Sequence, residues 1–230
     1  MKTLLHKAGE RGEGEHGWLR TRYSFSFASW YEPSRMCFGK LRVLNDDTIA
    51  PANGFAPHAH RDMEIVTLVT EGAVTHEDSM GNKKQVKAGE VQVMSAGTGV
   101  VHAERNESPS ETLKLFQIWI EPRAPGGSAR YAQKAFDLEC PGETLLVAPE
   151  APLSLGQDAW LSLVNLKKGE EWAYQVKKVG NGCYFFVIEG SVSIAGHELE
   201  ARDALGVWEA DEASVLSKGG AQLLAIEVPM

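Results

Sequence analysis

The residues best suited to chemistry lie in two short stretches. "GFAPHAHRDMEI" (54–65) holds His58 and His60 with one alanine between them, and "GVVHAERN" (99–106) holds His102 and Glu104 at the same spacing. On a β-strand, residues two apart point to the same side, with Cα atoms about 7 Å apart. Each pair can therefore aim both of its donor groups at one point. Three imidazoles and one carboxylate suit a borderline divalent ion such as iron, manganese, nickel, copper or zinc. Four protein donors on an ion that takes five or six leave positions for water, dioxygen or a substrate oxygen. A lone His-x-His is commonly a surface pair; a second pair in the same segment changes that reading.

Other candidates compete. Glu64 lies four residues past His60, and the parity of the count permits an inward aim; its bland reading is a polar residue at a strand start, paired with Arg61 or Arg105. His76 is expected on the solvent side or behind the site. His6, His16 and His197 have no partner pattern. Cys37 reads as a buried or half-buried apolar residue rather than an activated thiolate. No Gly-x-Ser-x-Gly, Walker or dinucleotide-binding pattern occurs, and "GEGEHG" (12–17) lacks the strand-to-helix context that phosphate binding needs.

The elements that must position these residues read as strands. "LRVLN" (41–45), "EIVTLVTEGAVTHED" (64–78), "GEVQVMSAG" (89–97), "TLKLFQIWIEP" (112–122), "AWLSLVNL" (159–166), "CYFFVIEGSVSIAG" (183–196) and "AQLLAIEVP" (221–229) are short and rich in Val, Ile, Leu and aromatics. Gly, Asn, Asp and Pro punctuate them, and no long amphipathic helix is evident. This predicts an all-β sandwich or barrel. An internal repeat sharpens the prediction. "VTLVTEGAVTHE" (66–77) matches "YFFVIEGSVSIA" (184–195), "LRVLN" matches "LSLVN", and "LKLFQIWI" matches "AQLLAIEV". Two β units of about 100 residues each follow, a normal domain size, with "EPRAPGGSARY" (121–131) as the linker. Counted from Glu71-Gly72 and Glu189-Gly190, His58 falls on Val176 and His60 on Lys178. The second unit keeps the framework without the histidines, so the fold does not need them.

Bulk properties narrow the class. The 230 residues carry a net charge of −8, which disfavours binding to a phosphate backbone. Three widely spaced cysteines suggest neither a disulfide framework nor a cysteine-rich zinc site, and fit a reducing compartment. No signal peptide or membrane span is readable. A cytoplasmic, soluble protein is expected.

The two motifs together resemble the pirin family of the cupin superfamily, in the version of its bacterial quercetinase-like members. The resemblance rests on "GFAPHAHRDMEIVTLVTEG", "DSMGN" and "GEVQVMSAGTGVVHAERN", with "HGWLRTRYSFSFASWYEP", "LRVLNDD" and "LKLFQIWIEP" around them, and is strong over 8–125. It implies a bicupin: two β-barrel (double-stranded β-helix) domains packed together, residues 1–125 with the metal site and 126–230 without. It implies His58, His60, His102 and Glu104 as ligands and Glu64 as a neighbour only. Ala59 departs from a common Pro and Cys37 from a common Gly, neither at a ligand position. One divalent transition metal ion is implied, iron first, with manganese, nickel, copper, zinc or cobalt as alternatives. The implied activity is a quercetin 2,3-dioxygenase acting on a flavonol and dioxygen, with Glu104 also accepting the proton of the acidic 3-hydroxyl. The alternative is a metal-dependent regulatory or redox-sensing module for a protein partner; a weaker one is another cupin reaction on a small acid or phenol. No direct nucleic-acid or membrane partner is expected, and a monomer is.

Overall fold

In the computed structural model, which describes residues 1–230, the apolar runs become strands. Their β-branched and aromatic residues fit a pleated surface, and the intervening Gly and Asp residues supply the turns. The first half gives β1 (Lys2–His6), β2 (Gly12–Glu15), β3 (Leu19–Tyr23), β4 (Leu41–Ile49), β5 (Gly54–His60), β6 (Glu64–Glu71), β7 (Ala73–Asp78), β8 (Lys83–Lys87), β9 (Glu90–Ser95), β10 (Val100–Arg105) and β11 (Leu113–Ile120). The second gives β12 (Arg130–Ala135), β13 (Gly142–Val147), β14 (Trp160–Leu166), β15 (Glu171–Gln175), β16 (Asn181–Ile194), β17 (His197–Glu200), β18 (Ala204–Trp208) and β19 (Glu212–Pro229). One 3-10 turn, Ala8–Glu10, is the only helix.

A seven-stranded sheet, β12-β9-β6-β11-β4-β3-β2, and a four-stranded sheet, β5-β10-β7-β8, form the first cup. An eight-stranded sheet, β1-β18-β16-β19-β14-β13 with β15 on β19 and β17 on β16, forms the second. All pairings are antiparallel. The chain thus adopts the expected all-β architecture of two cupin-type domains, as curled sheets rather than closed rings. Two strands cross between the cups. β1 pairs with β18, and β12 pairs with β9, so each half lends an edge strand to the other.

Side-chain alternation explains why the central strands are apolar throughout. On β11, Phe116, Ile118 and Ile120 join a 25-residue cluster that also contains Tyr184, Phe186, Leu224 and Ile226 of the second half. The opposite face, through Gln117 and Trp119, lines the first cup. The cups therefore pack back to back, and each middle sheet is buried on both faces. The repeat is real in three dimensions. Gly72 and Gly190 both have positive φ, +74° and +78°, at matching hairpins. A Cβ at either would collide with a facing carbonyl oxygen, of Thr112 or Gly220.

The interiors differ. In the second cup, Tyr174, Phe185, Val164, Leu199, Val215 and others close into a 15-residue apolar core. The first cup keeps a cavity of about 420 Å³.

Candidate metal centre

β5 and β10 run side by side, with His58 opposite His102 and His60 opposite Val100. Alternation turns the two β5 imidazoles to one face, and the pairing brings His102 against them. Ring centroids are 4.4 Å apart for His58 and His102, 4.9 Å for His58 and His60, and 4.8 Å for His60 and His102. One nitrogen from each ring lies within 4.8 Å of the others. Glu104 follows a register shift in β10 and is 3% exposed. It belongs to a second, overlapping group with His76 and His102.

Hydrogen bonds assign the tautomers. His58 Nδ1 lies 2.8 Å from the Ala56 carbonyl oxygen and can only donate to it, which leaves Nε2 with a lone pair. His102 is fixed by a longer chain. Asp78 accepts from Met80 N, Asn82 N and Asn82 Nδ2, and these bonds, with that from His76, hold its carboxyl below the usual range against the opposing effect of burial. That carboxylate accepts the Nε2–H hydrogen bond of His76 at 2.9 Å. His76 Nδ1 is then an acceptor and receives Nδ1–H of His102 at 3.3 Å. For a neutral His76, His102 Nε2 then carries the lone pair. It is buried, faces the cavity and has no partner. A buried polar atom without a partner is rare and calls for one. A cation completes it; a proton on the same nitrogen would not.

Electrostatics agree. Burial, then His58, lowers His60 to about 4. Burial, then His58, His60 and His76, lowers His102 to about 3, with Asp78 opposing. Both imidazoles are neutral at pH 7 with lone pairs available, as cation binding needs. Glu104 is raised by burial, while His76, His58, Gln117 and Thr67 pull it down. Gln117 Nε2 donates to it at 3.0 Å, and the Thr67 hydroxyl lies 3.4 Å away.

The structure brings His58, His60, His102 and Glu104 to one wall of the cavity and leaves Glu64 out. Glu64 neighbours Ile65, which lines the cavity, so it faces the other side of β6. It accepts from Ser95 Oγ at 2.6 Å and packs against Gly156, and no ion pair joins it to Arg61 or Arg105. The parity count from His60 failed because the turn at Arg61–Met63, with Asp62 at φ +49°, resets it. His76 is fully buried, behind the imidazoles and stacked on Tyr131 at 4.8 Å, not on the solvent side. Sequence reading missed Asp78, although "HED" is a third pair of polar residues two apart. Cys37 is exposed, not buried or half-buried. His6 is buried against Tyr184, its Nδ1 2.9 Å from the hydroxyl.

The rest of the cavity has two characters. Leu19, Phe27, Phe55, Ile65 and Trp119 are apolar or aromatic; Thr21, Asn45, Asp47 and Gln117 are polar. Burial lifts the Asp47 carboxyl to about 7; the Thr21 hydroxyl and Arg11 pull it down, and Glu104 and Asp46 push it up.

Comparison with known proteins fits this geometry. The family model described as Pirin matches residues 5–120, and that of the quercetinase C-terminal cupin domain matches 145–228. The chain is 43% identical over 228 residues, 98% of each chain, to a quercetin 2,3-dioxygenase of Escherichia coli K12. It is 42% identical over 222 residues to a pirin-like protein of Caulobacter vibrioides, covering 94% of this chain and 95% of that one. Among solved structures, the E. coli bacterial pirin YhhW in complex with nickel(II) superposes with a TM-score of 0.94 at 42% identity, over 99% of both chains.

Proposed function

Because the chain belongs to the pirin family, we propose that it is a dioxygenase of the quercetin 2,3-dioxygenase type, with a divalent transition metal ion held by His58, His60, His102 and Glu104. The observation that carries this reading is the buried, unpartnered Nε2 of His102, set beside two more imidazoles at a cavity large enough for a flat aromatic molecule. Iron is the first expectation; the nickel on the E. coli relative keeps nickel among the alternatives. When bound, the ion supplies Lewis acidity toward a substrate oxyanion and a meeting point for dioxygen.

The chain's own residues do the rest. Phe27, Phe55 and Trp119 offer ring faces and edges to a planar substrate and keep water from it. Glu104 takes the substrate hydroxyl proton on a carboxylate oxygen in this reading, and the bonds from Gln117 and Thr67 that fix the carboxylate support that role. Asp78 and His76 lock the His102 ring and tautomer. The overall change adds both atoms of dioxygen to the flavonol and releases carbon monoxide as the ring opens.

Residues 1–125 form the metal-bearing domain in this reading and 126–230 its metal-free partner, with β1 and β12 exchanged between them. The filled second cup supports that division. The unpaired state of all three cysteines supports a cytoplasmic location, and the mutual burial of the two sheet faces supports a monomer. No helix is long and apolar enough to cross a membrane.

The test is the loss of quercetin absorbance under air and under nitrogen with metal-loaded protein. Loss in air alone is expected. Absence of any oxygen-dependent loss would replace the enzyme with a metal-dependent regulatory module.

A further inference from the structure

The inner face of the seven-stranded sheet carries more polarity than holding Glu104 requires. Strand register lines up Tyr23, Asn45, Gln117, Thr67 and Gln92 in one row across β3, β4, β11, β6 and β9. Gln117 and Thr67 in that row serve Glu104. In the next row, Thr21 stands opposite Asp47. Thr21, Asn45 and Asp47 are 2%, 4% and 4% exposed, and all three line the cavity. Asn45 Oδ1 has no hydrogen-bond partner in the protein, and the Thr21 hydroxyl faces the buried Asp47 carboxyl and favours its ionised form. An unpaired amide oxygen and a buried carboxyl at one cavity are destabilising for the fold alone.

The repeat shows that the fold does not ask for them. β11 and β19 occupy the same place in the two halves. Asp47 pairs with Leu115 of β11, and Val164 pairs with Leu223 of β19, the residue matching Leu115. Where the first cup has Asp47, the second has a fully buried valine in an apolar core. Strand register, which lies three residues off the match of "LRVLN" with "LSLVN", makes Ser162, opposite Ala225, the counterpart of Asn45, opposite Gln117, and the Ser162 hydroxyl is bonded to Glu143 at 2.7 Å. The cup with the imidazoles keeps the buried carboxyl of Asp47 and the unpaired Asn45 Oδ1, and the second cup has neither at the matching positions.

We propose that Thr21, Asn45 and Asp47 form a hydrogen-bonding subsite on the sheet facing the metal centre, which anchors a hydroxyl of a planar polyphenol whose other end reaches the imidazoles. The proposal rests on the flavonol reading above and deepens it: the site selects aromatic substrates that carry a hydroxyl remote from the oxygen bound at the metal centre. Asn45 Oδ1 and the Asp47 carboxylate are acceptors, the Thr21 hydroxyl orients the carboxylate, and the ligand group they complete is a donor. The aromatic residues around them grip the ring system, and the oxygens fix its orientation.

The test compares two probes binding to metal-loaded protein under nitrogen, read by quenching of tryptophan fluorescence. Quercetin carries remote hydroxyls; 3-hydroxyflavone keeps only the ketone and the 3-hydroxyl. A subsite built to bond a hydroxyl rejects the analogue lacking it, so wild-type protein is expected to prefer quercetin by at least about tenfold. In Thr21→Val/Asp47→Leu the preference is expected to fall to within about twofold, chiefly by weaker quercetin binding. The conservative Asp47→Asn is expected to keep part of it. Because burial of the Asp47 carboxyl opposes folding and the double variant removes it together with the hydroxyl that faces it, that variant is also expected to melt no lower than wild type. A role in the fold alone would lower its melting temperature and leave the preference intact, and that result overturns the proposal. So does a wild-type protein that binds both probes equally. Selective binding that collapses in the double variant, without dioxygen consumption by wild type, leaves the subsite standing and removes the dioxygenase reading.

Discussion

Replacing His76 separates the fold from the metal centre, because the one hydrogen bond His76 makes to a proposed ligand is the one to His102. His76→Phe keeps an aromatic ring against Tyr131 and removes both hydrogen bonds of the relay. Asp78 retains Met80 N, Asn82 N and Asn82 Nδ2, so the β7–β8 turn should persist. His102 Nδ1–H, in contrast, is left in a buried site without an acceptor. That costs about 1–3 kcal/mol and lets the ring change tautomer or turn. Partners behind a metal ligand typically contribute 10–100-fold in affinity, or about 1.4–2.8 kcal/mol. The two figures agree. Titration of metal against a chromophoric chelator should therefore show a 10–100-fold weaker complex, on the order of those values, with the circular dichroism spectrum and cooperative melt preserved. His76→Gln can donate to Asp78 and accept from His102, and should recover most of the loss. Wild-type affinity in a folded His76→Phe protein would refute the relay.

Glu64→Gln should leave metal content unchanged and lower stability by about 1–2 kcal/mol through its weakened bond to Ser95, read by denaturant melts; loss of metal would return Glu64 to the ligand set. His6 gives a pH test away from the centre. Burial, then Arg35, lowers it to about 4 in the folded chain, with Glu10 opposing. The unfolded chain binds the proton first, so stability is full above about 6.5 and falls as pH drops from there toward 4. The loss from this residue should be on the order of 2–3 kcal/mol. His6→Gln should show a visibly flatter decline between pH 7 and 4.5; an equal slope would contradict the argument.

What was legible in the sequence is what strand alternation encodes. His58 and His60, or His102 and Glu104, need only a strand to share a face, so their spacing sufficed. Glu64 misled because the count ran through a turn. Asp78 and His76 matter only through the pairing of β7 with β10, which sets His102 opposite Asp78 and Glu104 opposite His76; that register is a tertiary fact. Asp47 stayed hidden because "NDD" reads as the end of a strand, whereas β4 continues to Ile49. The crossing of β1 onto β18 was unreadable for the same reason as most long-range pairings: nothing local to Lys2–His6 names its partner. The two-cup architecture was readable because the repeat is internal.

The central claim is that the imidazoles of His58, His60 and His102, with the Glu104 carboxylate, share one metal ion. Anomalous diffraction from crystals of the metal-loaded protein, collected on either side of the metal's absorption edge, tests it most directly. One strong peak is expected in the first cup, about 2.0–2.2 Å from His58 Nε2, His102 Nε2, a ring nitrogen of His60 and a Glu104 oxygen, and no peak in the second cup. A peak at other residues, or none in protein shown to carry stoichiometric metal, contradicts the account.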